Sequence, residues 1–295
     1  MASTTLGQDS VADSTPQKWQ LKSIYVANGT QSSFVNWVSG GRNSISLLGY
    51  ITASANYRKN SLKWTNDFHF ALGGLQYIDK GASEGIQKSD DRMEWASNVG
   101  YRLKNDKYWF LSVVGGFRTQ FLDGFANAGD SLRSSTFMAP GYGNFALGID
   151  FTPSHNFSVF LSPLATKHTF VRDERLADAG QFGVTPAVYD ETTGDIITRG
   201  KMYRGEFGSY FKIKYSRVLA KNIDMKAKLD LFSNYIEDPE NIDVNAEVLF
   251  TFKVNNWFSA SLNWNLIYDH DIIQRTQFKS VLGLGISYTM RNFDE

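Results

Sequence analysis

The 295 residues include no cysteine, and 30 basic residues are matched by 30 acidic ones, giving a formal net charge of zero. The missing thiols exclude disulfide frameworks, thiolate zinc sites and cysteine nucleophiles; the neutral balance argues against a nucleic-acid partner bound through phosphates. No apolar run reaches the roughly 18 residues of a transmembrane helix, yet the aromatic share of 15% is high for a soluble domain.

The chain opens on a polar stretch, Met1 to Pro16, that lacks the apolar centre of a secretory signal. Residues 1–18 are therefore expected to be a flexible periplasmic extension, with any signal peptide absent from this chain. From Trp19 onward the pattern has a period of two. Twelve strands are predicted, at 19–28, 45–58, 61–77, 91–104, 107–121, 141–152, 156–170, 204–219, 222–236, 242–254, 257–269 and 277–290. The clearest sets Ile242, Val244, Ala246, Val248, Phe250, Phe252 and Val254 against Asp243, Asn245, Glu247, Leu249, Thr251 and Lys253, a face polar but for one leucine. A strand sends these sets to opposite faces, whereas a helix would mix them around its circumference.

Tight turns such as Lys59-Asn60 and Asn255-Asn256 alternate with loops that are mostly longer, so the two kinds collect at opposite ends of the sheet. The strands are long enough to cross hydrocarbon, which takes about 9–11 tilted residues. Tyr57, Trp64, Tyr101, Trp109, Phe151, Phe157, Phe258 and Tyr288 fall on the apolar parity near the short turns, as an interfacial girdle requires. A second aromatic set, Tyr77, Phe121, Tyr235, Tyr268 and Phe278, lies near the long loops. The fold class expected is all-β: a 12-stranded antiparallel transmembrane β-barrel over residues 19–295, with both termini periplasmic.

On this reading the polar parity lines the lumen. It collects Lys63, Asp67, His69, Arg92, Glu94, Arg102, Arg118, Asp150, Lys212, Lys214, Asp224, Lys226, Lys228, Asp230, Asp243, Glu247, Lys253 and Lys279. Such a set forms either a salt-bridge network that fills the barrel or a narrow pore with a bias toward anions. The selectivity candidates are Lys212, Lys214, Lys226 and Lys228, with Asp224, Asp230, Arg118 and Glu247 around them. His69 and His168 are expected to face the lumen singly. His270 sits at a loop end beside Asp269 and Asp271 with no nucleophile motif, so neither an enzyme nor a cofactor is expected. Pro163 lies inside a strand and must break a ladder bond, so a bulge is expected there. Loop 29–44 carries Phe34, Asn36, Trp37, Gly40 and Gly41 as candidates for a plug or partner contact. Loop 171–203 is too long to be a plain connector.

Several segments resemble a family of Bacteroidota outer-membrane barrels described as a domain of unknown function. They are residues 33–44 (SFVNWVSGGRNS), 88–92 (KSDDR), 160–164 (FLSPL), 228–235 (KLDLFSNY) and 241–245 (NIDVN). The resemblance spans almost everything from Trp19 onward. It implies a barrel in the outer membrane of a diderm bacterium and supplies no substrate. Such barrels usually finish on an aromatic residue; here Met290 holds that place and Phe293 follows. The function expected is a small-solute channel or gated porin-like pore. The alternative is a non-conducting structural subunit of a larger outer-membrane assembly for transport, secretion or barrel assembly. Expected partners are outer-membrane lipid and lipopolysaccharide, together with other outer-membrane proteins.

Overall fold

A computed structural model describes residues 19–32, 43–79, 82–83, 85–104, 106–126 and 129–293. The extension 1–18 and the loop candidates Phe34, Asn36, Trp37, Gly40 and Gly41 lie outside the described residues. Twelve long strands form one antiparallel sheet: β1 (Gln20–Ser32), β2 (Ser44–Lys59), β3 (Leu62–Asp79), β4 (Gln87–Arg102), β5 (Trp109–Thr119), β6 (Gly141–Ser154), β7 (Phe157–Phe170), β8 (Tyr203–Ala220), β9 (Ile223–Asn234), β10 (Ile242–Lys253), β11 (Phe258–Asp269) and β12 (Ile273–Arg291). Each pairs with its neighbours in sequence, and β1 also pairs with β12, from Lys22 opposite Arg291 to Gly29 opposite Leu284. The sheet is a closed barrel without a free edge. Closure lets every backbone group pair within the wall, which a hydrocarbon solvent demands.

The alternation in sequence becomes an inside-out protein. Leu47, Trp95, Tyr101, Leu161, Phe278, Leu282, Leu284, Ile286 and Tyr288 are exposed on the outer wall, many more than half. Their strand neighbours turn inward. The girdle near the short turns gathers into ring contacts: Trp19 packs on Tyr57 and Trp64 at 5.2 and 5.1 Å, and Trp109 on Phe151 at 4.5 Å. Trp64 Nε1 donates to Ser97 Oγ at 2.9 Å, a polar handle on an apolar ring. Tyr77 departs from the expected outer belt: it sits opposite Ser44 in unbroken register with Lys63 and so shares the inner face.

The short turns are set by asparagine and aspartate. Asn60 adopts φ 52°, and Asn255 Oδ1 accepts from the amides of Trp257 and Phe258 at 2.9 and 2.7 Å, the local bond that makes this residue a turn former. At the same end Asn292 ties the two ends of the sheet together, accepting from Leu21 N at 2.7 Å and donating to the Trp19 carbonyl at 2.8 Å. Strand limits move by a few residues at the loop end. β4 begins at Gln87 and β12 at Ile273, because polar residues there continue the ladder that apolar alternation alone does not mark.

Candidate functional site

A chain of ion pairs crosses the lumen at its waist. β4 and β10 stand six apart in a ring of twelve and so face each other across the barrel. From β4, Arg92 donates through Nε to Glu94 Oε2 at 2.9 Å and reaches Glu247 Oε2 on β10 at 3.5 Å. Lys228 on β9 lies 3.2 Å from Glu94 Oε1 and 3.2 Å from Asp230 Oδ2. Lys212 on β8 adds a contact to Asp230 at 3.4 Å, Tyr210 donates to Asp230, and Asn263 donates to Glu247 at 3.0 Å. This chain of ion pairs runs from wall to wall. Acid and base alternate along it, so each charge taken from water meets an opposite one.

Beside this waist the inward positions are apolar. Val114, Ala146, Phe160, Ala165 and Phe232 form a buried cluster against Tyr210. They come from β5, β6, β7 and β9 and fill that side of the lumen, leaving the polar bar the rest. Arg118, also inward, lies over the Tyr142 ring at 5.0 Å.

Toward the long loops, Lys167 is the centre of a second cluster. Its Nζ lies 2.6 Å from Asp243, 2.8 Å from Asp269 and 3.7 Å from Glu206. Arg204 joins Glu206 at 3.7 Å, Glu237 at 3.0 Å and Asp271 at 2.7 Å. Strand parity puts His168 in the lumen; the structure turns it outward and brings Lys167 in. Pro163 and Leu164 together oppose Ser209, so the register shifts between Ser162 and Ala165. This is the bulge expected at Pro163, and its extra residue exchanges the two faces for the remainder of β7. His168 therefore packs on the half-exposed Tyr203, with Nδ1 2.7 Å from its hydroxyl. The proline was the signal that could have found Lys167. His69 does face the lumen, 6.0 Å from Tyr50.

Toward the short turns lies a second group of inward charges, the vestibule, whose side chains are more exposed than those of the waist. Lys214 pairs with Asp67 across the barrel at 3.1 Å, yet their side chains remain 47% and 50% exposed. Lys253 pairs with Asp224 at 2.6 Å. Lys226 is exposed, and the charged groups around it are Lys22, Asp67, Asp224 and Lys253. Lys63 instead is buried against Asp150 at 2.8 Å and Thr152 at 3.1 Å. The four expected lysines thus divide: Lys212 and Lys228 belong to the waist, Lys214 and Lys226 to the vestibule.

The loop between β7 and β8 is folded. It holds helix α1 (Glu174–Asp178), capped by Asp173, whose carboxylate accepts from Leu176 N at 3.0 Å. Leu176, Ala177 and Val184 pack with Val171 and Ala139 into a small core of their own. A hairpin, Val188–Tyr189 with Ile196–Thr198, follows. Asp178 clasps the loop: it accepts from Gly200 N at 2.8 Å and pairs with Arg199 at 2.6 Å. The Gly200 amide, with Arg199 adding, holds this carboxyl below the usual carboxylate range. Gly183, at φ 81°, turns its carbonyl to Arg204 at 3.0 Å, tying the loop to the mouth cluster. Among the described residues no group of three or more His, Asp or Glu is placed to hold a metal ion. His270 meets Asn241 at 3.4 Å.

A family described as "Protein of unknown function (DUF3078)" matches residues 30–125. No curated protein matches in sequence. Among solved structures, the COG4313 outer membrane channel from Pseudomonas putida F1 is 12% identical, with 95% of this chain and 98% of that one covered and a TM-score of 0.41. The translocator domain of autotransporter NalP from Neisseria meningitidis is 9% identical, covering 94% and 90%, with a TM-score of 0.36. OprB of Pseudomonas putida is 10% identical, covering 92% and 94%, at 0.32.

Proposed function

We propose that the protein spans the outer membrane of a diderm bacterium of the Bacteroidota type as a gated path for small solutes, closed at rest. The short turns and both sheet ends face the periplasm, and the long loops face outward toward lipopolysaccharide. The exposed apolar wall between aromatic belts supports the membrane placement. One observation carries the gating: the partition across the lumen consists of wall side chains, Arg92, Glu94, Lys228 and Glu247, between regions where charged groups stay accessible. Lys214 and Asp67 are about half exposed on one side, and Lys279 is 45% exposed on the other. Opening such a partition takes rotamer changes, with no backbone segment to expel among the described residues.

The test is conductance in planar bilayers. The wild-type protein is expected to be silent apart from rare openings, and the Arg92→Ala/Glu247→Ala double variant to conduct in steps. Steady wild-type current matching that of the variant would overturn the closed resting state. A second reading is a non-conducting subunit of a larger outer-membrane assembly. It is favoured by the exposed apolar hairpin residues Val188, Tyr189 and Ile197, which offer a partner surface. Silence of the double variant, together with co-purifying proteins lost on truncating that hairpin, would establish the second reading over the first.

A further inference from the structure

The charges inside the barrel are sorted along its length. At the loop end, among the described residues, Glu206, Glu237, Asp243, Asp269 and Asp271 surround Lys167 and Arg204, and the pairs Lys88–Asp91 and Lys279–Asp90 add no net charge. At the short-turn end the balance reverses. Lys22, Lys214, Lys226 and Lys253 face one region, with Asp67 and Asp224 among them. Each of these two aspartates is already held by a lysine, Asp67 by Lys214 and Asp224 by Lys253. Lys226 has neither an ion pair nor a hydrogen bond among the described residues, although it is exposed to the lumen. Neighbouring ammonium groups repel one another, and an anion that joins Lys226 relieves that repulsion and gains a charge-assisted contact.

We propose that this vestibule is a binding site for a small soluble polyanion bearing two or more phosphate or carboxylate groups. Lys226 supplies the central contact. Lys214 and Lys253 turn from their aspartates to share the ligand, as their long stems and exposure allow. The acidic mouth repels the same ligand, so it loads from the short-turn end. The proposal rests on the aqueous lumen described above but not on conduction, because binding below a closed waist needs no passage.

Isothermal titration of the full-length protein in zwitterionic detergent tests it, with inorganic pyrophosphate as the phosphate probe and citrate as the carboxylate probe. At low ionic strength at least one of the two is expected to bind. Affinity should fall steeply with added salt, as for a charge-driven site. Lys226→Gln should weaken binding by about tenfold or more, the scale of one lost charge-assisted contact, and Lys226→Arg should restore most of it. Lys104→Gln, at the β4–β5 turn, should bind as the wild type does. An unchanged thermal transition of the ligand-free variants shows that they fold. Absence of binding by both probes, or equal affinity in the Lys226→Gln protein, overturns the site. Conductance of the waist variant is read separately, so the gated path and the anion site can fail independently.

Discussion

At the scale of single residues, Lys167 shows how much one side chain can hold together. Its ammonium joins carboxylates from β8, β10 and β11, and Glu206 and Asp269 are almost fully buried. Lys167→Met would leave Asp243 and Asp269 facing each other without the ammonium between them, and Glu206 with Arg204 alone. Breaking a buried pair in this way costs about 3–5 kcal/mol. The thermal transition of the purified barrel should drop accordingly, and Lys167→Arg should recover part of the loss. An unchanged transition in Lys167→Met would mean that the cluster is solvated and contributes little. Sequence could name Asp243 as inward but not the ion that holds it. Arg92, Glu94 and Glu247 could likewise be assigned to the lumen, yet their meeting across it depends on which strands stand opposite, and that follows only once the ring is closed at twelve.

At the scale of elements, the loop joining β7 and β8 has a built-in acid sensitivity. Asp178 is held as a carboxylate by Gly200 and Arg199, which depress its folded value. A depressed carboxyl stabilises the fold fully above its ordinary value of about 4. That contribution is lost as pH falls through the lower, folded value. Amide exchange at Ala187 and Gly200, which donate to Asp178 through the backbone carbonyl and the carboxylate respectively, measured against the intrinsic rate at each pH, should stay slow from neutral pH to about pH 5 and quicken below about pH 4. Asp178→Asn should quicken it already at neutral pH while leaving the barrel strands protected. Equal exchange in both proteins at pH 7 would remove the clasp from the account. Element limits were legible wherever apolar alternation ran unbroken, as in β9, β10 and β11. They were less legible where the ladder carries polar residues, as at Lys88 to Asp91 in β4. The folded interior of loop 171–203 was not legible, because its small core draws Ala139 from another loop. In β7 the proline announced the bulge, but the exchange of faces beyond it, which takes Lys167 inward and His168 outward, has to be carried forward residue by residue.

At the scale of the whole molecule, the outer wall decides where the protein can exist. Leu284 sits well inside β12, opposite Ala260 on one side and Gly29 on the other, and is 53% exposed. Leu284→Arg places a cation in hydrocarbon at a cost of about 2–4 kcal/mol near the midplane. It should lower folding yield into lipid vesicles and reduce heat resistance; wild-type behaviour in both would contradict the lipid-facing assignment. The same inversion of a soluble fold puts the charges into the hollow, and there they are not evenly mixed. A cylinder basic at one end and acidic at the other is an electric dipole lying along the membrane normal. In any open form, ions driven one way meet a different sequence of attractive and repulsive fields from ions driven the other way. Current through the proposed path at equal and opposite voltages should therefore differ, a rectification set by the arrangement of the fixed charges alone.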